Sequence, residues 1–98
     1  MKYDLIIKEE ANLEIIESYV FYESKSKGLG DRFLNQLDIY FERIQSFPEH
    51  YQIKRNPYRE AFIKKFPFVI IYEIIKNEII VYAVFHSSRN PQTKPRMK

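Results

Sequence analysis

The chain has no cysteine, two glycines and two histidines among its 98 residues. Without cysteine there is no disulfide scaffold, no zinc ribbon and no thiol nucleophile, and nothing argues for an oxidising compartment. His50 and His86 alone cannot complete a zinc site, so neither a metal nor a cofactor is expected. Gly28 and Gly30 both fall at one turn, which leaves no glycine-rich loop to cradle a phosphate. No apolar run reaches membrane-spanning length, and the Met-Lys-Tyr-Asp start carries no signal-peptide core. The expectation is a soluble cytoplasmic domain that does not enter a membrane.

Acidic residues are scarce in one half of the chain. Residues 1–50 hold 6 basic and 10 acidic side chains, net −4, and residues 51–98 hold 10 and 3, net +7, which together make the formal +3. Such polarity in a small protein points to a polyanionic partner, or to an acidic protein partner, for the basic half. Core material is plentiful: 45% of the residues are hydrophobic, including eight Tyr and eight Phe, which excludes a disordered chain. The length suits one domain over residues 1–98.

Residues 3–7 read as a short strand. Glu9 and Glu10 then open a helix over about 9–27, with Leu13, Ile16 and Val20 at i, i+3, i+7 as its apolar stripe, widened by Ile15, Tyr19 and Tyr22. Gly28 is expected just past the end of this helix, and Asp31 as the cap of the next. The second helix, about 31–47, is the most periodic segment. Phe33/Leu34, Leu37, Tyr40/Phe41, Ile44 and Phe47 recur at 3–4 spacing before Pro48 stops it. The short connection makes the two helices an antiparallel hairpin. After Pro48 the period changes: 58–66, 68–75 and 78–86 are rich in Ile, Val, Phe and Tyr and read as an antiparallel meander, with a tight turn at Lys76-Asn77 and a bend at Pro67. The fold expected is α+β: an N-terminal strand and a helical hairpin packed on an antiparallel sheet that the first strand joins.

Strict alternation puts Phe68, Ile70, Tyr72 and Ile74 on one face of the first central strand, with Ile79, Val81, Ala83 and Phe85 on one face of the second. Both faces of both strands are apolar, yet one helical hairpin covers a single face. Either the 49–57 segment and loops wrap the second face, or a partner chain does.

The order of elements and a set of local motifs resemble the RelE/ParE superfamily of bacterial toxins. The motifs are Gly28-Leu29-Gly30-Asp31-Arg32-Phe33-Leu34 at the hairpin turn, Phe47-Pro48, Arg59, the block Lys65-Phe66-Pro67-Phe68-Val69-Ile70-Ile71-Tyr72, and Val84-Phe85-His86-Ser87-Ser88-Arg89-Asn90-Pro91. The resemblance implies the toxin of a type II toxin–antitoxin pair, neutralised by a cognate antitoxin in a hetero-oligomer. RelE-like members cut mRNA on the ribosome, and ParE-like members poison DNA gyrase.

Metal-free RNA cleavage needs a base for the ribose 2′-OH and cations for the growing phosphate charge. Under the resemblance, Arg89 falls at a catalytic arginine of the RelE-like arm, but Val69, Phe62 and Pro95 occupy places where that arm has arginine, lysine and tyrosine. The substitute catalytic set is His86 as base with Arg59 and Arg89 on the phosphate; otherwise His86 is structural, capping the sheet edge. His50 reads as an exposed turn residue, and the Glu14/Glu17 pair as a solvated helix face. Tyr51, Tyr58, Tyr72 and Tyr82 suit packing more than base stacking. Lys54, Arg55, Arg59, Lys64, Lys65 and Arg89 are the residues expected to meet the target or the antitoxin. The long helices and the 86–91 ending fit the ParE-like branch, with DNA gyrase as target. The alternatives are the RelE-like mRNA endoribonuclease and an inactive relative that only binds antitoxin.

Overall fold

The structure, a computed structural model, describes residues 2–87. In chain order its elements are β1 (Asp4–Ile7), α1 (Glu9–Lys25), α2 (Leu29–Ser46), a 3₁₀ turn (Pro48–His50), β2 (Ile53–Arg55), β3 (Tyr58–Ile63), β4 (Phe68–Ile75) and β5 (Glu78–His86). The five strands form one sheet in the order β1-β5-β4-β3-β2. The meander is antiparallel as expected, whereas β1 joins β5 in parallel, Ile6 opposite Ile80, so the sheet is mixed. Strand β2 is an addition that three exposed residues did not announce.

Both helices lie on one face of the sheet. Tyr22 meets Phe33 at the hairpin turn, while Ile15 shares a cleft with Asp38 and Phe41, so the helices run antiparallel. Helix α2 buries Phe33, Leu37, Tyr40, Phe41 and Ile44, the stripe its periodicity marks. Phe47 leaves that stripe: it is the C-cap, turned out of the helix, and 71% exposed. Helix α1 corrects the expectation more strongly. It buries Ala11 and Ile15 and turns Tyr22 into a ring cluster with Phe33, Phe66 and Phe68, leaving Leu13, Ile16 and Val20 exposed at 51%, 49% and 58%. The small Ala11 lets the helix approach the sheet closely; the larger aliphatic stripe faces away.

The turn between the helices is also built differently. Helix α1 ends at Lys25, and Gly28 enters α2 as its N-cap at φ +88°, a left-handed conformation that glycine adopts without a Cβ penalty. The cap carboxylate comes from Glu23 and not Asp31. Gly28 N–H donates to Glu23 Oε2 and Gly30 N–H to Glu23 Oε1, each at 2.9 Å, so the preceding helix satisfies the orphan donors of the next. Gly30 has no room for a side chain: a Cβ there would lie 2.7 Å from the Tyr19 ring.

The parity count fails at one residue of β5. Tyr72 pairs with Val81 and Ile71 with Ala83, so Tyr82 is an extra residue, a β-bulge. Past the bulge the alternation inverts. Val84 joins the helix-side core with Ile79 and Val81, while Ala83 and Phe85 cross to the far face beside Tyr58, Val69 and Ile71. Strand β1 ends opposite Val81, which leaves the rest of β5 unpaired on that side. Helix α1 closes the gap: Glu14 Oε1 accepts the Val84 N–H at 2.8 Å.

Candidate functional site

Of the proposed nuclease groups, the two that are described, Arg59 and His86, stand apart. Arg59 sits opposite Tyr72 and His86 opposite Phe68, four residues further along β4, or about 13 Å of strand. Arg59 is engaged with backbone: its Nη1 donates to the Tyr51 carbonyl at 2.7 Å and the Glu49 carbonyl at 3.4 Å, tying the 49–51 segment to the sheet. His86 stands edge-on to the Phe68 ring, 5.3 Å between centroids. Arg89 lies outside the described residues.

Tyr72 and Tyr82 are held protonated. Tyr72 is fully buried, donates to the Pro48 carbonyl at 2.5 Å, and burial pushes its phenol far above the ordinary range. Burial also raises Tyr82 to about 12, assisted by its hydrogen bond to Glu73 Oε1 at 2.8 Å. A general base needs a pKa near the working pH, and neither tyrosine has one. Glu14 corrects the reading of a solvated Glu14/Glu17 face. Burial is the first cause of its raised pKa, the Glu17 and Glu10 charges add to it, and the Val84 N–H opposes it. Among the described residues no cluster of three or more metal-binding side chains forms.

The basic residues fall into two groups. Lys54 and Arg55 are exposed on edge strand β2, beside the start of β3. Lys64 and Lys65 are exposed in the turn after β3, six residues and about 20 Å further on. At that second end lie the hairpin turn of the helices, joined through the Tyr22–Phe66 contact, and the end of β5, where Ser87 N–H donates to the Pro67 carbonyl at 2.7 Å.

Two apolar surfaces stand out. The first is the Leu13–Ile16–Val20 stripe of α1, bordered by the exposed carboxylates Glu9, Glu10 and Glu17. The second is the sheet face away from the helices, which carries the Tyr58, Val69, Ile71, Ala83 and Phe85 cluster together with the exposed Phe62, Ile75 and Ile6. Phe62 and Val69, the two apolar substitutes for nuclease cations, are paired neighbours on this face.

Comparison with known proteins decides the family. The model of the ParE toxin of the type II toxin–antitoxin system parDE matches residues 5–91. The chain is a ParE-family toxin. Among curated proteins none matches. Among solved structures, the toxin is similar to a chain of the chromosomal ParDE toxin–antitoxin system from P. aeruginosa, with TM-score 0.76, 11% identity, and coverage of 87% of this chain and 96% of that one. It is also similar to a copper-bound mutant toxin from Helicobacter pylori, with TM-score 0.55, 18% identity, and coverage of 88% and 96%. At these identities the likeness is one of fold. Within the toxin's described residues no helix is long and apolar enough to cross a membrane. The α1 stripe is visible in the sequence as an apolar periodicity, which on its own points to the core. The further signal is that α1 carries two apolar faces, and only the one with Ala11 fits close against a sheet.

Proposed function

We propose that this toxin acts by binding, with DNA gyrase as its target, and that a cognate antitoxin neutralises it by docking on the α1 stripe. The observation that carries the reading is the family match joined to the exposed Leu13–Ile16–Val20 stripe: three aliphatic side chains in register on a 17-residue helix. The carboxylates beside it specify the chemistry of the occupant, an amphipathic segment whose apolar ridge is flanked by Lys or Arg. Lys54 and Arg55 on the open edge of β2 remain the basic pair assigned to the target. The separation of Arg59 from His86, and the Phe62–Val69 pair where the RelE-like arm has cations, support binding over RNA cleavage.

The test is to induce the toxin in cells and follow DNA synthesis, gyrase-linked DNA breaks and mRNA integrity from the first minutes. The expected order is early loss of DNA synthesis with breaks, while mRNA stays intact. Early mRNA cleavage with DNA synthesis preserved overturns the gyrase reading, and His86→Ala would then be expected to abolish the cleavage.

A further inference from the structure

We infer that the cleft between the start of α2 and the β3–β4 turn binds the phosphodiester backbone of a nucleic-acid duplex. The cleft has a volume of about 570 Å³ and is lined by Leu29, Arg32, Asn35, Gln36, Lys65 and Phe66. Among the described residues that line it, the charged side chains are both cations, the polar ones are both carboxamides, and none is acidic. That is a donor set for phosphate oxygens: two full charges together with two neutral donors. The acids of the same turn are directed elsewhere. Glu23 holds the Gly28 and Gly30 amides, and Asp31 lies with Glu23 beside Tyr19. The lysine of this cleft comes from the basic half of the chain and the arginine from the acidic half, so halving the charge count conceals the pair.

A duplex fits better than the other polyanions. Sequence-tolerant single-strand binders stack bases on exposed rings, and the ring among the described residues lining this cleft, Phe66, is buried against Phe33 and Tyr22. An acidic protein needs apolar anchors for affinity, and the apolar residues described in this cleft, Leu29 and Phe66, are packed into the core, whereas counter-ion release gives backbone binding without any. Lys64 flanks the cleft in the same turn.

The inference does not depend on gyrase being the target, and purified full-length toxin tests it without gyrase. Binding to a short random-sequence DNA duplex is followed by fluorescence anisotropy across a salt series, with an RNA duplex and poly-glutamate as separate arms. For wild type, log K is expected to fall linearly with log salt. Arg32→Gln combined with Lys65→Gln is expected to lower affinity about tenfold or more at low salt and to reduce the slope by about 1.8, that is about 0.9 for each lost phosphate contact. Lys76→Gln, in the turn at the far end of β4, is expected to leave the slope within error. Matched thermal unfolding curves establish that the variants are folded. The same loss on the RNA duplex supports the inference, because backbone contacts are blind to sequence. An unchanged slope in the double variant overturns it, and so does poly-glutamate binding more tightly than either duplex with the same dependence on Arg32 and Lys65.

Discussion

At the scale of the residue, single buried polar groups in this toxin act as ties between elements. Glu14 joins α1 to β5 through the Val84 N–H, at the cost of holding a carboxylate in a half-buried place. Its folded pKa lies above the unfolded one, so the native state binds more protons in the window just above the ordinary Glu range, and stability falls as pH rises through it. Glu14→Gln keeps the acceptor and removes the charge. Denaturant unfolding is therefore expected to show the variant gaining on wild type as pH rises above the ordinary Glu range; a difference that stays flat with pH removes Glu14 as the source. Glu14→Ala strands the Val84 donor and is expected to cost about 1–3 kcal/mol at acid pH, and less as pH rises and wild type loses the contribution of its protonated Glu14. Tyr72 plays the same part beneath the 3₁₀ turn. Tyr72→Phe leaves the Pro48 carbonyl without its phenol donor and is expected to lower stability by about 1–2 kcal/mol in the same assay, with no effect on the sheet itself.

At the scale of the element, the hairpin turn shows two glycines with different duties. Gly30 is required by contact: a methyl there meets the Tyr19 ring at 2.7 and 2.8 Å and the Glu23 carboxylate at 2.9 Å, and Glu23 cannot yield without releasing two N–H donors. Gly30→Ala is expected to destabilise by about 1–3 kcal/mol despite alanine's better helix propensity. Gly28 is required by conformation alone, with open space around its Cβ position, so Gly28→Ala is expected to cost about 1 kcal/mol. Reversal of that order in thermal unfolding would remove the Glu23 cap from the account. The elements differ in how readable they are. Helix α2 was legible because its one apolar stripe leaves no choice of face. Helix α1 was not, since Ala11 and Ile15 compete with Leu13, Ile16 and Val20, and close approach to the sheet, which no periodicity records, decides between them. The far-face pattern was legible in kind and wrong in register past Tyr82, because a bulge inserts a residue without altering composition. Strand β2, three exposed residues paired to β3, leaves no hydrophobic alternation to read. The separation of Arg59 from His86 lay beyond a linear sequence, which records that both exist and not which end of a strand each occupies.

At the scale of the whole molecule, the buried face of α1 and the docking surface proposed for it lie on opposite sides of one helix, and that makes them separable by mutation. Each large aliphatic side chain contributes about 1.5–3 kcal/mol when fully buried. Leu13, Ile16 and Val20 are each about half exposed, so covering all three is worth about 2–4 kcal/mol to a partner, or about 30- to 1,000-fold in affinity. Replacing the three with Gln is expected to remove most of that gain from antitoxin binding while changing the toxin's own stability much less, because the helix keeps its inner face and its tie through Glu14. Ile15→Ala is the converse variant. It hollows the core, costs about 2–5 kcal/mol of stability, and leaves the outer stripe untouched. The bordering Glu9, Glu10 and Glu17 add a second signature: association with a basic amphipathic segment is expected to slow as salt rises, and replacing these three with Gln is expected to flatten that dependence with little change in the dissociation rate. If the triple Gln stripe variant still captures antitoxin with wild-type affinity while remaining folded, the stripe is not the docking surface, and the second apolar region, the sheet face around Phe62 and Ile75, takes its place as the surface to test.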